Sequence, residues 1–280
     1  MTSTESVLHL DHLPLRSQYA DIHGVRFHFI EAGNGDAMPV VLLHGFPEFW
    51  MGWRKQIPAL VDAGFRVIVP DQRGYNLSDK PQGIDSYDLD ALGLDVVGLA
   101  DHLGIDKLRL VGHDWGASVA WWLATTQPAR IEKMATLNAP HPALWRRAMR
   151  DNPAQRRKSW YVFMLRIPWL PELGLRASNF KSLAQSLVDS SRPGTFSVAD
   201  FDAYRQAWAQ PGALTAMINW YRALLRKEMP TDLPKVDFET LMIWGVDDKF
   251  GDRSVAEESI GLCNRGRIVC VDQTTHWVHH

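Results

Sequence analysis

The 280-residue sequence has little that would tie it to a membrane, a polyanion or an oxidising compartment. Its two cysteines, Cys263 and Cys270, have neither metal-site spacing nor a disulfide framework, so reduced thiols and a cytoplasmic location are expected. Met1 to Ala20 is interrupted by Glu5, Asp11, His12, Pro14 and Arg16, which leaves no signal-peptide core, and no membrane span is expected. A formal net charge of −2 supplies no basic field for nucleic acid. The one notable positive cluster, Arg146, Arg147, Arg156, Arg157 and Lys158, reads as a solvated helix face. Internal repeats and low-complexity tracts are absent as well, which excludes a solenoid or fibrous design.

What remains is an ordinary globular composition, 46% hydrophobic and 22% charged, in a chain long enough for one catalytic body with an insertion. Short β-branched or apolar runs recur at Val25–Ile30, Val40–Leu43, Phe65–Val69, Leu108–Val111, Ile131–Leu137, Leu241–Trp244 and Ile268–Val271. Helix-length patterns at Leu89–Leu103 and Ala117–Thr126 fall between them. This alternation predicts an α/β fold with a doubly wound, mostly parallel sheet and right-handed helical crossovers. From about Pro140 the strand signal stops and Trp, Arg, Leu and Pro dominate until Asp232. The expected division is core over 1–139, a helical cap over 140–232, and core again over 233–280.

The run Leu108-Arg109-Leu110-Val111-Gly112-His113-Asp114-Trp115-Gly116-Ala117 reads as a strand, a glycine-flanked turn and the opening of a helix. This is the arrangement of the nucleophile elbow, with Asp where esterases carry Ser, and it predicts the α/β-hydrolase fold. A sharp strained turn lifts the central side chain above the sheet, and Cβ atoms at the flanking positions would obstruct it. An aspartate after a strand also serves as a plain helix cap, so the rest of the chain must decide. A carboxylate nucleophile forms an alkyl ester whose acyl carbon belongs to the enzyme, and water must then hydrolyse that ester.

Further along, Leu241–Gly245 leads to Asp247 and Asp248, and His276 follows the last strand, so nucleophile, acid and histidine stand in α/β-hydrolase order. His276 is the expected base toward water and Asp248 its orienting acid, with Asp247 the competitor for that role. His279 and His280 read as tail residues. After the strand Val40–Leu43, the loop His44-Gly45-Phe46-Pro47-Glu48 is placed to supply the Phe46 N–H to an oxyanion hole, beside the Trp115 N–H. Glu48 reads as a group that tunes water near the site. His44, Pro47, Trp50 and Met164 are expected to line an apolar substrate pocket.

With these motifs on the page, the chain resembles the epoxide hydrolases of the α/β-hydrolase superfamily, the soluble epoxide hydrolase-like group. The residues that carry the resemblance are His44-Gly45-Phe46-Pro47-Glu48, Asp71-Gln72-Arg73-Gly74-Tyr75, Gly112-His113-Asp114-Trp115-Gly116 and His276-Trp277-Val278. Between the core parts, Ser159-Trp160-Tyr161 and Asn219-Trp220-Tyr221-Arg222 are similar to the family's two tyrosine motifs. The resemblance implies that Tyr161 and Tyr221 hold the epoxide oxygen while Asp114 attacks carbon, with no metal and no organic cofactor. Arg166 departs from the Gln usual at that position. The resemblance also implies a helix after the histidine region, whereas this sequence stops at His280, so a C-terminal helix is expected to be absent.

The implied partners are a small-molecule epoxide and water, with a homodimer left open. Haloalkane dehalogenases use the same aspartyl ester, and Trp115 would suit a halide, but they need no tyrosine pair. Haloacetate dehalogenases carry arginine where Trp115 stands. A nonenzymatic binding protein on this fold would be favoured by a broken triad, and Ser-type ester hydrolysis lacks its hydroxyl.

Overall fold

The computed structural model describes residues 6–10 and 12–280. Glu5 and Asp11, used above in reading the N-terminus, lie outside them. Three antiparallel strands, β1 (Ser6–Leu10), β2 (Leu13–Ile22) and β3 (Val25–Ala32), begin the sheet. β2 and β3 are joined by His23 and Gly24, both at positive φ, as a two-residue hairpin whose twist matches its strands requires. Then follow β4 (Met38–Leu43), α1 (Gln56–Asp62), β5 (Phe65–Pro70), α2 (Leu89–His102), β6 (Leu108–His113), α3 (Trp115–Thr126) and β7 (Ile131–Leu137). Six helices come next: α4 (Pro142–Asp151), α5 (Pro153–Lys158), α6 (Trp160–Leu165), α7 (Leu170–Ser190), α8 (Val198–Trp208) and α9 (Ala213–Arg226). The sheet resumes with β8 (Glu239–Gly245), α10 (Arg253–Ile260) and β9 (Gly266–Val271), and α10 is the last helix among the described residues.

The strand order is β1-β2-β3-β5-β4-β6-β7-β8-β9, and every pairing from β5 to β9 is parallel. All seven strands read from the sequence are present. β1 and β2 were not foreseen. β2 buries Leu15, Ser17, Ala20 and Ile22, so its inward face is built partly from small and polar residues that periodicity of apolar residues does not reveal. Ser17 is tolerated inside because its hydroxyl bonds His28 Nε2 at 2.8 Å.

One face of the sheet is covered by α2 and α3. In α2, Leu89, Leu92, Val96 and Leu99 repeat at helical spacing and are buried, each side chain contributing roughly 1.5–3 kcal/mol. Asp88 starts this helix by accepting from the Ala91 N–H at 2.8 Å. On the other face Trp53 and Ile57 pack with Leu15, Ile30, Leu42, Val67 and Val69. Toward β9 that face is more open, with Val111, Leu241 and Ile243 half-buried and Val269 exposed.

The basic cluster proves divided. Arg147, Arg156 and Arg157 are exposed, as expected of a solvated face. Arg146 is instead half-buried, donating to the Leu224 carbonyl at 3.0 Å and to that of Lys227, and Lys158 donates to the carbonyls of Asp248 and Gly251. Long side chains can span from a helix surface to backbone carbonyls of a neighbouring element, and sequence spacing carries no trace of that contact.

Candidate active site

β4 and β6 are neighbours although β5 lies between them in sequence, so the chain changes direction of travel here and leaves a crevice beyond their C-terminal ends. Leu43 pairs with Gly112, which sets the loop after β4 against the turn after β6. Asp114 occupies that turn at φ 50° and ψ −116°. A non-glycine residue held there costs about 1–3 kcal/mol and persists only when its surroundings over-determine it. Here they do. A Cβ on Gly112 would lie 2.4 Å from the Gly116 carbonyl oxygen, and one on Gly116 would lie 2.1 Å from that of Leu43. The Asp114 N–H donates to the Leu137 carbonyl at 3.2 Å, and its own carbonyl accepts from the Ser118 N–H at 3.0 Å.

The raised carboxylate meets two partners on different oxygens. The Phe46 N–H donates to Asp114 Oδ1 at 2.9 Å, while Oδ2 lies 3.4 Å from His276 Nε2. On its far side His276 Nδ1 bonds Asp248 Oδ2 at 2.8 Å. Asp248 is locked in turn: Oδ1 accepts from the Phe250 and Gly251 N–H groups at 2.6 and 2.9 Å, and Oδ2 accepts from Asn138 Nδ2 at 2.6 Å. Asp247 is exposed, so the acid beside His276 is Asp248. Side-chain exposure separates the two carboxylates, 19% for Asp114 and 0% for Asp248. Only Asp114 can be reached by a ligand.

Burial alone would raise both carboxyl pKa values, but His276, helped by the Phe46 N–H at Asp114 and by Gly251 and Asn138 at Asp248, holds both below the usual range. Burial would lower the imidazole pKa. The charge of Asp248 and the bonds to Asp114 and Asp248 outweigh it and raise His276 to about 10. An ionised Asp114 therefore favours the protonated form of His276.

Across the cavity stand Tyr161 from α6 and Tyr221 from α9, ring centroids 5.9 Å apart. Tyr221 sits edge-on to Phe46 at 5.3 Å and to Trp115 at 4.9 Å, while Tyr161 meets Phe250 at 5.6 Å. Burial first, then the Asp114 charge, raises the Tyr161 pKa; burial, Tyr161 and Asp114 raise that of Tyr221. Both phenols are thus kept protonated, as donors. Arg222 joins their helices: its guanidinium donates to the Leu165 carbonyl at 3.0 Å, the Ile167 carbonyl at 2.8 Å and Glu172 Oε1 at 2.7 Å. A planar fork with several donors suits that clamp, which a lysine would not reproduce.

Two spaces meet at Asp114, Tyr161, Tyr221, Phe250 and His276. One, about 50 Å³, extends toward Trp115, Asn138 and Trp145. The other, about 310 Å³, is walled by Pro47, Trp160, Met164, Leu183 and Leu187. Pro47 and Met164 therefore face the cavity. His44 and Trp50, expected in the pocket, do not line either space. His44 is wholly buried, its Nε2 accepting from the Gln72 N–H at 3.0 Å, and the Trp50 N–H donates to Asp71 Oδ1 at 3.0 Å. Both lie away from the cavity because the loop turns between them, the Glu48 N–H donating to the Gly45 carbonyl at 2.9 Å.

The sequence reading missed several residues. Asn138, at φ 48°, bridges Asp248 to Gly245, accepting from the Gly245 N–H at 3.0 Å, and its place at the end of β7 was the available signal. His279 and His280 are not tail residues. Their Nε2 atoms bond Glu48 at 3.1 and 2.7 Å, and Glu48 also meets His113 Nδ1 at 3.2 Å and the Tyr204 hydroxyl at 2.8 Å. His113 Nε2 meets the His276 carbonyl at 3.0 Å, so this cluster supports the backbone of His276 from behind. Glu48, His113 and His279 form the one metal-like group among the described residues, but the same nitrogens and oxygens already bond one another.

Residues 38–280 match the family described as alpha/beta hydrolase fold. The chain is 45% identical to the AB hydrolase superfamily protein YfhM of Bacillus subtilis, over 95% of this chain and 93% of that protein. It is 36% identical to human Epoxide hydrolase 4, covering 91% of this chain and 72% of the relative. Among solved structures, the epoxide hydrolase of Bacillus megaterium bound to an inhibitor superposes with a TM-score of 0.85 at 28% identity, covering 94% of each chain.

Proposed function

The chain belongs to the epoxide hydrolases of the α/β-hydrolase fold, and from that premise we propose that Asp114, His276, Asp248, Tyr161 and Tyr221 convert an epoxide and water to a vicinal diol. The observation that carries the assignment of residues is that two phenols, Tyr161 and Tyr221, and the Asp114 carboxylate line one cavity. A serine-type or halide-releasing site has no need of two such donors.

The first step is attack of Asp114 Oδ2 on an epoxide carbon, because Oδ1 is held by the Phe46 N–H. The C–O bond of the ring breaks, and a phenol of Tyr161 or Tyr221 gives its proton to the leaving oxygen. Esterification removes the Asp114 charge, one of the two that raise the His276 pKa, so His276 releases its Nε2 proton to solvent, to be regained when the Asp114 charge returns, and the neutral imidazole acts as base. Its Nε2 takes a proton from water, whose oxygen attacks the Asp114 acyl carbon. Negative charge gathers on Oδ1, where the Phe46 and Trp115 N–H groups form the oxyanion hole. Collapse breaks the bond from Cγ to Oδ2, His276 returns a proton to the departing diol, and the remaining carboxyl proton restores the tyrosine. The scheme uses no metal or organic cofactor.

The helices α4–α9, within residues 140–232, act as a cap over the core, and its apolar wall selects an aryl or alkyl epoxide. No helix of the described residues is long and apolar enough to cross a membrane, and Cys263 and Cys270 are free thiols. A cytoplasmic location fits these thiols.

The test offers the purified protein matched epoxides, haloalkanes and haloacetates, with Asp114→Ala as control. Diol formation by the wild type and none by Asp114→Ala is expected. Halide release without diol would move the protein to a dehalogenase.

A further inference from the structure

Among the inserted helices is an exposed apolar face that the reaction scheme does not use. In α6, Val162 and Leu165 point inward, while Trp160, Phe163 and Met164 are exposed, followed by Ile167 one turn on. The spacing i, i+3, i+4 puts Trp160, Phe163 and Met164 on one side of α6, and Ile167 is exposed just beyond its end. The start of α7 extends the surface with Trp169 at 73% and Leu173 at 64% exposure. Large apolar residues gathered in this way exceed the scattered exposure normal for a monomer surface.

The charge around this face is one-sided. From Asn152 to Val188 the sequence has six Lys or Arg and a single acid, Glu172, in a chain of formal net charge −2. That acid is not free, since it pairs with Arg222 at 2.7 Å. Arg156 and Arg157 are exposed on α5, and Arg157 shares a surface groove with Trp160, Lys158, Lys249 and Asp189. Exposed Trp, Phe and Leu rimmed by Arg and Lys is the composition of an interfacial membrane-binding surface.

Continuity with the site gives the face a use. Trp160 and Met164 belong at once to the exposed face and to the wall of the 310 Å³ cavity. We propose that the α5–α6 face and the start of α7 dock on an anionic lipid bilayer, and that apolar substrate enters the cavity from the lipid past Trp160 and Met164. The route of entry rests on the epoxide reading; docking itself does not. A second copy of the chain is a poorer occupant, because two such faces would bring their arginines together, whereas phosphate headgroups neutralise them.

Sedimentation of the full chain with vesicles of phosphatidylcholine mixed with phosphatidylglycerol, and with vesicles of phosphatidylcholine alone, tests the docking. The wild type should partition onto the mixed vesicles, less at high salt and less onto phosphatidylcholine. W169S/L173S should lower partition by about tenfold or more, and R156E/R157E should remove the preference for the anionic lipid. These positions lie outside the cavity wall, so turnover of a water-soluble substrate should persist in both variants. Absence of wild-type partition, or equal partition by W169S/L173S, overturns the proposal. Concentration-dependent dimerisation abolished by W169S/L173S, without vesicle binding, overturns it in favour of a self-interface. If the vesicle results hold but no epoxide is turned over, docking stands and the epoxide reading alone falls.

Discussion

Two histidine–carboxylate clusters lie on either side of the turn after β6, with the rings of His113 and His276 4.7 Å apart. On the cavity side one imidazole lies between two carboxylates, His276 between Asp114 and Asp248. On the sealed side one carboxylate, Glu48, is bonded by three imidazoles and a phenol. The ratio of acids to imidazoles decides the direction for His276 and Glu48, and burial decides it for His279. His276 is raised to about 10. Burial first, then the crowd of imidazoles, lowers His279, and against its own burial Glu48 is held well below its usual range by His279 and His280. The same residue types thus yield a titrating centre where ligands reach and a fixed support where they do not.

Removing the single imidazole of the open cluster should break the comparison most. His276→Gln is expected to slow turnover about 10³-fold, with protein heavier by one substrate mass accumulating in the mass spectrum. Turnover at the wild-type rate would end the assignment of His276 as base. Glu48→Gln strikes the sealed cluster, removing the carboxylate that bonds His113, His279, His280 and the Tyr204 hydroxyl. A loss of about 2 kcal/mol in denaturant unfolding is expected from the buried hydrogen bonds lost, with a smaller effect on rate through the His276 carbonyl. Unchanged stability would show that Glu48 is not the support.

Asn138→Ala sharpens the contrast by loosening Asp248 without removing a charge. It should lower kcat about tenfold with little change in KM, as expected when one hydrogen bond orienting the triad is lost. The last effect concerns pH. Because the folded His276 pKa stands above its ordinary 6.5, its contribution to stability is complete below about 6.5 and declines as pH rises through about 10. Stability should therefore fall from pH 7 to 10 in the wild type, and His276→Gln should flatten that slope.

The residues of the open cluster were more legible than those of the sealed one. Gly112, Asp114 and Gly116 sit within five positions, and their strand–turn–helix setting is a local property of the chain. His113 and Glu48 lie in the same motifs, yet nothing local indicated that they would join, because Glu48 is 65 residues from His113 and 231 from His279. β2 escaped notice for a related reason. Its buried Ser17 is explained only by His28 on the neighbouring strand.

By itself the sequence determined the alternation of strands and helices, the aspartate elbow and the order of its partners, since periodicity, glycine placement and turn chemistry act over a few residues. The tertiary structure decided that Asp248 and not Asp247 meets His276, that Asn138 holds Asp248, that His44 and Trp50 stand behind the loop, and that His279 and His280 reach Glu48. Those outcomes depend on burial and on hydrogen bonds between segments remote in the chain, where the cost of leaving a buried polar group unpaired selects among positions that look equivalent in one dimension.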